Sequence, residues 1–190
     1  MRTHIATAKG FTLLELMTAI AVMAVLLSVG VPSFVQIIRN NRITAQTNEL
    51  VAALNIARSE SVKRGLAVSV CSSSNGTSCA GSATWGTGWI VFTDGNGAAG
   101  VVNPAVPVET GDQVLQVWPA IQGGLQLNSV VGTAPVSPTR NFVQYTSTGM
   151  PNPIGATNFS LFKSGAPANT ARCISVSTAG RVSTAQAVCP

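Results

Sequence analysis

The stretch LMTAIAVMAVLLSVGVPSFVQII, residues 16–38, carries no charged side chain over 23 positions. A helix of about 20 apolar residues crosses a bilayer core of about 30 Å, so this stretch reads as a membrane-spanning helix. Ahead of it lies a short leader, Met1 to Gly10, with Arg2 and Lys9 as its basic residues. Positive residues stay on the cytoplasmic side, which places the chain beyond Ile38 outside the cytoplasm. A secretory signal peptide has an apolar region of about 7–15 residues ending in a small-residue cleavage site; the run here is too long for one.

Two residues in or beside the run need a reason. Glu15 lies among Leu13, Leu14 and Leu16, and an acid inside a bilayer costs about 2.5–3.5 kcal/mol, so it calls for a partner or a place at the headgroup boundary. Pro32 follows Gly30 and Val31; an interior proline removes one backbone hydrogen bond and crowds the preceding turn, which predicts a kink.

Beyond Ile38 the composition changes to Arg39, Asn40, Asn41 and Arg42. Leu50, Leu54, Ala57 and Ser61 then fall on one helical stripe, with Val51 and Val62 beside it, while Arg58, Glu60, Lys63 and Arg64 are mostly directed elsewhere. Gly65 ends the helix, because glycine takes the left-handed conformation there without steric cost. From Phe11 to Arg64 such a helix would be about 80 Å long at 1.5 Å per residue.

Over the whole chain 46% of residues are hydrophobic and only 9% charged, with 18 Gly and 10 Pro. The apolar fraction excludes a disordered chain, and the glycines and prolines point to many turns. Eleven Lys and Arg against six Asp and Glu give +5, a sparse basic bias that permits nucleic-acid binding without indicating it. After Leu66 the pattern becomes short strands between turn residues: Ala67–Cys71, Trp89–Thr93, Val114–Trp118, Leu125–Val131, Phe142–Thr146, Asn158–Lys163, Arg172–Ser177 and Arg181–Thr184. No internal repeat is visible, and Gly95–Pro107 reads as a turn followed by a loop. A β-rich head packed on the apolar stripe of the helix buries both surfaces.

Four cysteines, Cys71, Cys79, Cys173 and Cys189, lie on the side assigned outside the cytoplasm, where disulfides form. Three pairings are possible, and proximity favours Cys71–Cys79 and Cys173–Cys189. Closing a loop of the second size contributes about 3 kcal/mol in the chain-entropy model. Zinc is not supported by the spacing, and the single histidine, His4, is in the leader. Catalysis is not supported either. Without His4, general-base work falls to Glu49, Glu60, Asp94, Glu109 or Asp112, none evidently paired with a nucleophile. Asp94 and Asn96 supply two oxygen side chains where Ca²⁺ takes six or more, and read as a hairpin turn. No cofactor is expected.

Lys9-Gly10-Phe11-Thr12-Leu13-Leu14-Glu15 resembles the prepilin peptidase site of type IV pilins and type II secretion pseudopilins. The resemblance implies cleavage after Gly10, N-methylation of Phe11, and pairing of Glu15 with the N-terminal amine of a neighbouring subunit during assembly. It implies a bend at Pro32. The implied partners are the prepilin peptidase, the inner membrane and other pilins. The implied location is the inner membrane with a periplasmic head, and then a pilus or a periplasmic pseudopilus. The expected fold is α+β and type IV pilin-like: a long N-terminal membrane-spanning helix packed against a β-rich head of antiparallel strands. Its expected divisions are 1–10 (leader, removed), 11–38 (transmembrane and assembly helix), 39–64 (amphipathic extension) and 65–190 (head).

Two further segments narrow the resemblance. Glu49-Leu50-Val51-Ala52-Ala53-Leu54 with Ala57-Arg58-Ser59-Glu60-Ser61-Val62-Lys63-Arg64, and Trp85-Gly86-Thr87-Gly88-Trp89-Ile90-Val91-Phe92-Thr93-Asp94, are similar to the GspH/FimT group. That group holds low-abundance subunits: minor pilins of type IV pili and the H pseudopilin of type II secretion. A minor pilin is the expectation, in or at the tip of the filament and helping to initiate assembly, with the H-type pseudopilin as the alternative. Some members from naturally transformable bacteria bind DNA through a C-terminal Gly-Arg-x-Arg segment. Gly180-Arg181-Val182-Ser183 keeps the first arginine and has Ser183 in place of the second. The corresponding double-stranded DNA contact would use Arg181, with Arg172, Lys163 and Arg140 completing a patch.

Overall fold

In the computed structural model, residues 10–94, 112–131, 141–152, 156–165, 170–187 and 189 are described. The leader residues before Gly10, the stretch 95–111 with Asn96 and Glu109, and Arg140 lie outside them. The long helix α1 runs from Leu13 to Arg64, 52 residues, and its helical hydrogen-bonding class continues through Pro32. The chain divides into two units after Asn40.

In the first unit every described side chain from Gly10 to Ile38 is exposed, including Leu13 at 76% and Phe34 at 64%. This part of α1 is long and apolar enough to cross a membrane. Burying so much apolar surface is strongly favourable, so the segment requires lipid or other apolar surfaces around it.

In the second unit α1 buries Ile43, Thr47, Leu50, Ala53, Leu54, Ala57 and Ser61. These positions recur every three or four residues, the spacing of one helix face. The stripe contains the four positions predicted from sequence and extends further toward the N-terminus. Val62, beside the last stripe residue Ser61, is 55% exposed.

Nine strands follow among the described residues: β1 (Ala67–Ser72), β2 (Trp89–Asp94), β3 (Val114–Trp118), β4 (Leu125–Val131), β5 (Phe142–Tyr145), β6 (Pro151–Asn152), β7 (Thr157–Lys163), β8 (Arg172–Val176) and β9 (Val182–Ala185). Eight correspond to the predicted strands, with ends that agree or differ by about one residue. The exception is the two-residue β6. They form two antiparallel sheets, in the orders β3-β2-β1-β5-β6 and β4-β7-β8-β9.

One core joins the helix stripe to both sheets. Leu50, Leu54 and Ala57 share it with Val68 and Val70 of β1, Trp89 and Val91 of β2, Val143 and Tyr145 of β5, Phe159 and Leu161 of β7, and Ile174 and Val176 of β8. A 3₁₀ turn at Trp85–Thr87 inserts Trp85 between the sheets, edge-on to Phe159 at 4.8 Å. The outer face of the first sheet carries a second apolar cluster of Cys71, Ile90 and Phe92. Beside that cluster the Asp94 carboxylate accepts hydrogen bonds from the Gln144 amide and the Ser69 hydroxyl. Asp94 is therefore a buried strand residue engaged across the sheet. The cysteines pair as Cys71–Cys79 and Cys173–Cys189. The second bond returns the chain after β9 to the second sheet, where the Cys189 amide donates to the Ser160 hydroxyl.

Candidate functional site

Two places carry functional side chains. The first is the start of α1. Thr12 is its N-cap: the Thr12 hydroxyl accepts from the Glu15 amide at 3.2 Å, and the Thr12 carbonyl accepts from the Leu16 amide at 3.2 Å. Thr12-Leu13-Leu14-Glu15 thus has the spacing of a capping box, with an acid in the first turn where the helix dipole favours it. Phe11, at 84% exposure, and Gly10 lie just ahead of the cap. The peptide bond at which cleavage is expected therefore sits in non-helical chain next to the first helical turn. Phe11, Glu15, Thr18, Ala19, Val22, Met23 and Leu26 line one shallow groove along the helix. Their spacing is that of a single stripe, so the carboxylate lies at the end of an otherwise apolar seam. Thr-x-x-Glu is visible in the sequence as a helix start, although the peptidase site was the reading given to it.

The second place is the end of the head around Arg58. Sequence periodicity directs Arg58 away from the core, but its guanidinium is occupied. Nε donates to the Gly149 carbonyl at 3.1 Å and Nη2 to the Ala179 carbonyl at 3.0 Å. The two acceptors belong to two matching turns. In the β5–β6 turn, the Thr146 amide donates to the Met150 carbonyl and the Gly149 amide to the Thr146 carbonyl. In the β8–β9 turn, Ser177 with Arg181, and Gly180 with Ser177, repeat the pattern. Both turns place a glycine at positive φ, Gly149 at +75° and Gly180 at +73°. Arg58 therefore fastens one hairpin from each sheet to the same helix, which the planar fork of a guanidinium suits.

Tyr145 of β5 is fully buried beside this place, and its hydroxyl has no hydrogen-bond partner among the described residues. Burial pushes its pKa from 10.0 up to about 12, against the opposing pull of Arg58. At the surface, Glu60 pairs with Arg64 at 2.6 Å and with Lys63 at 3.3 Å, and the Arg64 hydrogen bond holds its carboxyl below the usual range.

Of the basic residues expected to contact DNA, Arg181 lies apart from Lys163 and Arg172. Arg181 is exposed opposite Ser177, where the β8–β9 turn closes. Lys163 ends β7 and Arg172 begins β8, at the opposite end of the second sheet. Five residues of β8 and its turn separate Arg172 from the level of Arg181, roughly 16 Å at strand spacing. The Arg172 guanidinium folds back onto the carbonyls of Thr170 and Ala171. Arg140 lies outside the described residues. Strand register thus sets Arg181 apart from Lys163 and Arg172.

Among the described residues no group of three or more His, Cys, Asp or Glu is placed to hold a metal.

The model of the family described as type II transport protein GspH matches residues 46–180, and that of the prokaryotic N-terminal methylation motif matches residues 5–31. No curated protein matches the chain by sequence. Among solved structures, the type IV minor pilin FimU of Pseudomonas aeruginosa is similar at 22% identity and a TM-score of 0.52, covering 80% of this chain and 91% of FimU. The minor pseudopilin EpsH of the Vibrio cholerae type 2 secretion system is similar at 11% identity and a TM-score of 0.48, over 76% of this chain and 96% of EpsH. At 22% identity the likeness to FimU concerns the fold.

Proposed function

The chain belongs to the GspH family, whose members are minor pilins and pseudopilins rather than enzymes, and from that premise we propose that it is a minor pilin of a type IV pilus. In this reading it enters the filament at or near the tip and helps to initiate assembly. The observation that carries the filament reading is the wholly exposed apolar segment of α1 through Ile38, capped at Thr12 and headed by Glu15. Such a surface is stable in lipid and equally in a bundle of like helices. One segment therefore serves as inner-membrane anchor before assembly and as filament core after it.

The steps follow from the residues. Prepilin peptidase removes the leader after Gly10 on the cytoplasmic side and methylates Phe11, so that the head remains in the periplasm on an anchored helix. Glu15 then pairs with the Phe11 amine of a neighbouring subunit, an attraction that is strong where water is excluded. Pro32 leaves the Ser28 carbonyl without its helical donor and gives the packed helix a place to bend. In this reading any contact with duplex DNA is made through Arg181.

A second reading has its own support. The matched family is described for type II transport, which favours an H-type pseudopilin in a periplasmic pseudopilus. Both readings share the assembly chemistry, which is tested by Glu15→Ala in cells. Expected is an unchanged amount of protein in the membrane fraction with a sharp fall in the sheared or crosslinked filament fraction; wild-type incorporation would remove the role given to Glu15. Deleting the gene and measuring surface pili and secreted enzymes side by side separates pilus from pseudopilus.

A further inference from the structure

An antiparallel sheet with exposed edges invites pairing with another chain, and proteins usually blunt those edges. Three of the four edges here are blunted. At the β3 edge the register shifts between Val91 and Phe92, and Gly76 of the disulfide-closed loop lies against the Val117 side chain. The β6 edge is two residues long and begins with Pro151. The outer side of β4 is occupied by a bridge between Thr84 and Asn128 and by the Ser129 amide, which donates to the Ala83 carbonyl.

Among the described residues, the β9 edge has none of these devices. Val182-Ser183-Thr184-Ala185 contains no charge, proline or bulge, and Ser183, Thr184 and Ala185 are all exposed. The register fixes which groups face outward. The Ser177 amide donates to the Arg181 carbonyl, and Val182, Ser183, Thr184 and Ala185 lie opposite Val176, Ser175, Ile174 and Cys173. Because hydrogen-bonded and non-hydrogen-bonded pairs alternate in an antiparallel ladder, Ser183 and Ala185 bond inward to β8. The N–H and C=O of Val182 and Thr184 point outward. The strand is held in place at both ends, by Arg58 on the Ala179 carbonyl and by the Cys173–Cys189 disulfide, which keeps the following chain over β7 and β8.

The geometry points to the outer edge of β9 as a docking site for an extended, uncharged strand of a neighbouring, different subunit in the same filament. This rests on the filament reading above. The size of the edge selects the partner. A four-residue strand falls far short of the about 1,200–2,000 Å² that a stable interface between free proteins buries, so neither a soluble protein nor a free second copy would be held by it. A subunit anchored alongside through its own apolar helix is different, because tethering raises its effective concentration to about the millimolar range and a few main-chain hydrogen bonds then suffice.

The test uses the full-length chain in cells, with the photo-crosslinking residue p-benzoylphenylalanine at Ala185, alone and combined with Thr184→Pro. The outward N–H of Thr184 makes no bond to β8, and proline is tolerated at such edge positions. Expected is an adduct with another subunit that itself bears a prepilin leader, reduced about tenfold or more by Thr184→Pro, with the melting temperature of the detergent-purified chain within about 4 °C of wild type. If Thr184→Pro impairs folding, Thr184→Lys keeps the backbone and places a charge on the edge, and the same loss is expected. An adduct unchanged by either variant, or one joining two copies of this chain, overturns the proposal. So does the absence of an adduct in cells whose sheared filaments contain the protein; absence of the protein from filaments overturns the filament reading as well.

Discussion

A side chain on Gly180 would bring its Cβ to 2.6 Å from the Gly149 carbonyl oxygen, although the two glycines belong to different hairpins on different sheets. The turns are stacked, with Arg58 beside both. Gly180→Ala must therefore move backbone as well as adopt a φ near +73°. It should destabilise the protein by about 2–5 kcal/mol, adding left-handed strain to overpacking. Gly65→Ala is the control: it has a similar φ of +68° but nothing within 4 Å, so a cost of about 1 kcal/mol is expected. Thermal unfolding of the full-length chain in detergent measures both, and equal shifts would refute the close approach.

Arg58→Ala leaves the Gly149 and Ala179 carbonyls without their donor. Hydrogen bonds from a charged group contribute about 1.5–3 kcal/mol each, so a combined loss of about 3–6 kcal/mol is expected. Lysine carries one compact charge and no fork, and Arg58→Lys should recover only part of it. Urea unfolding compares the three proteins; full rescue by lysine would mean that charge, not geometry, matters.

Tyr145 is the single tyrosine in the chain, so its ionisation can be followed alone by tyrosinate absorbance. Burial raises its pKa from 10.0 to about 12 in the folded protein, while the unfolded chain ionises near 10. Above pH 10 the unfolded state loses protons that the folded state keeps. This contribution to stability is complete below pH 10 and is lost as pH rises through about 12. Expected is a folded-state titration midpoint well above 10, and alkaline destabilisation that Tyr145→Phe removes. Because the hydroxyl has no partner among the described residues, the phenylalanine variant should be neutral or stabilising at pH 7.

With Arg172 and Lys163 held at the far end of the sheet, Arg181 would neutralise one phosphate and contribute a salt slope of about −0.9. Arg181→Gln should flatten the salt dependence of duplex DNA binding by that amount, and Arg172→Gln should leave it unchanged. Equal effects of the two would mean that they act as one patch. Fluorescence anisotropy at several salt concentrations reads the slopes.

Local pattern determines which of these features can be read before folding. Val114–Trp118 and Leu125–Val131 have the same limits in sequence and structure, because each is an apolar-rich run bounded by turn residues, Gly111 and Pro119 for the first and Gly124 and Gly132 for the second. Pro151-Asn152 was missed, since two residues make no pattern. The helix stripe was legible from its period down to Ser61, but its extension to Ile43 and Thr47 was not: whether those turns are buried depends on what packs over them, not on α1 itself. The same holds for Arg58, whose acceptors lie 91 and 121 residues away. Its binding could not be inferred from helical phase. Four basic residues in the last third of the chain suggested one patch, and only strand register shows that Arg172 and Arg181 face different ends.

Those separations also bear on how the head comes to fold. Joining Arg58 to Ala179 closes a loop of 121 residues, and chains dominated by such distant contacts fold in milliseconds to seconds rather than microseconds. The clamp on the two hairpins needs both of them brought to the helix first. Until it closes, the β8–β9 hairpin is unfastened at its turn, and the uncharged β9 edge is open to wrong partners as well as right ones. Membrane attachment through α1 is independent of this step, so a newly made molecule can be retained at the membrane while its head is still maturing.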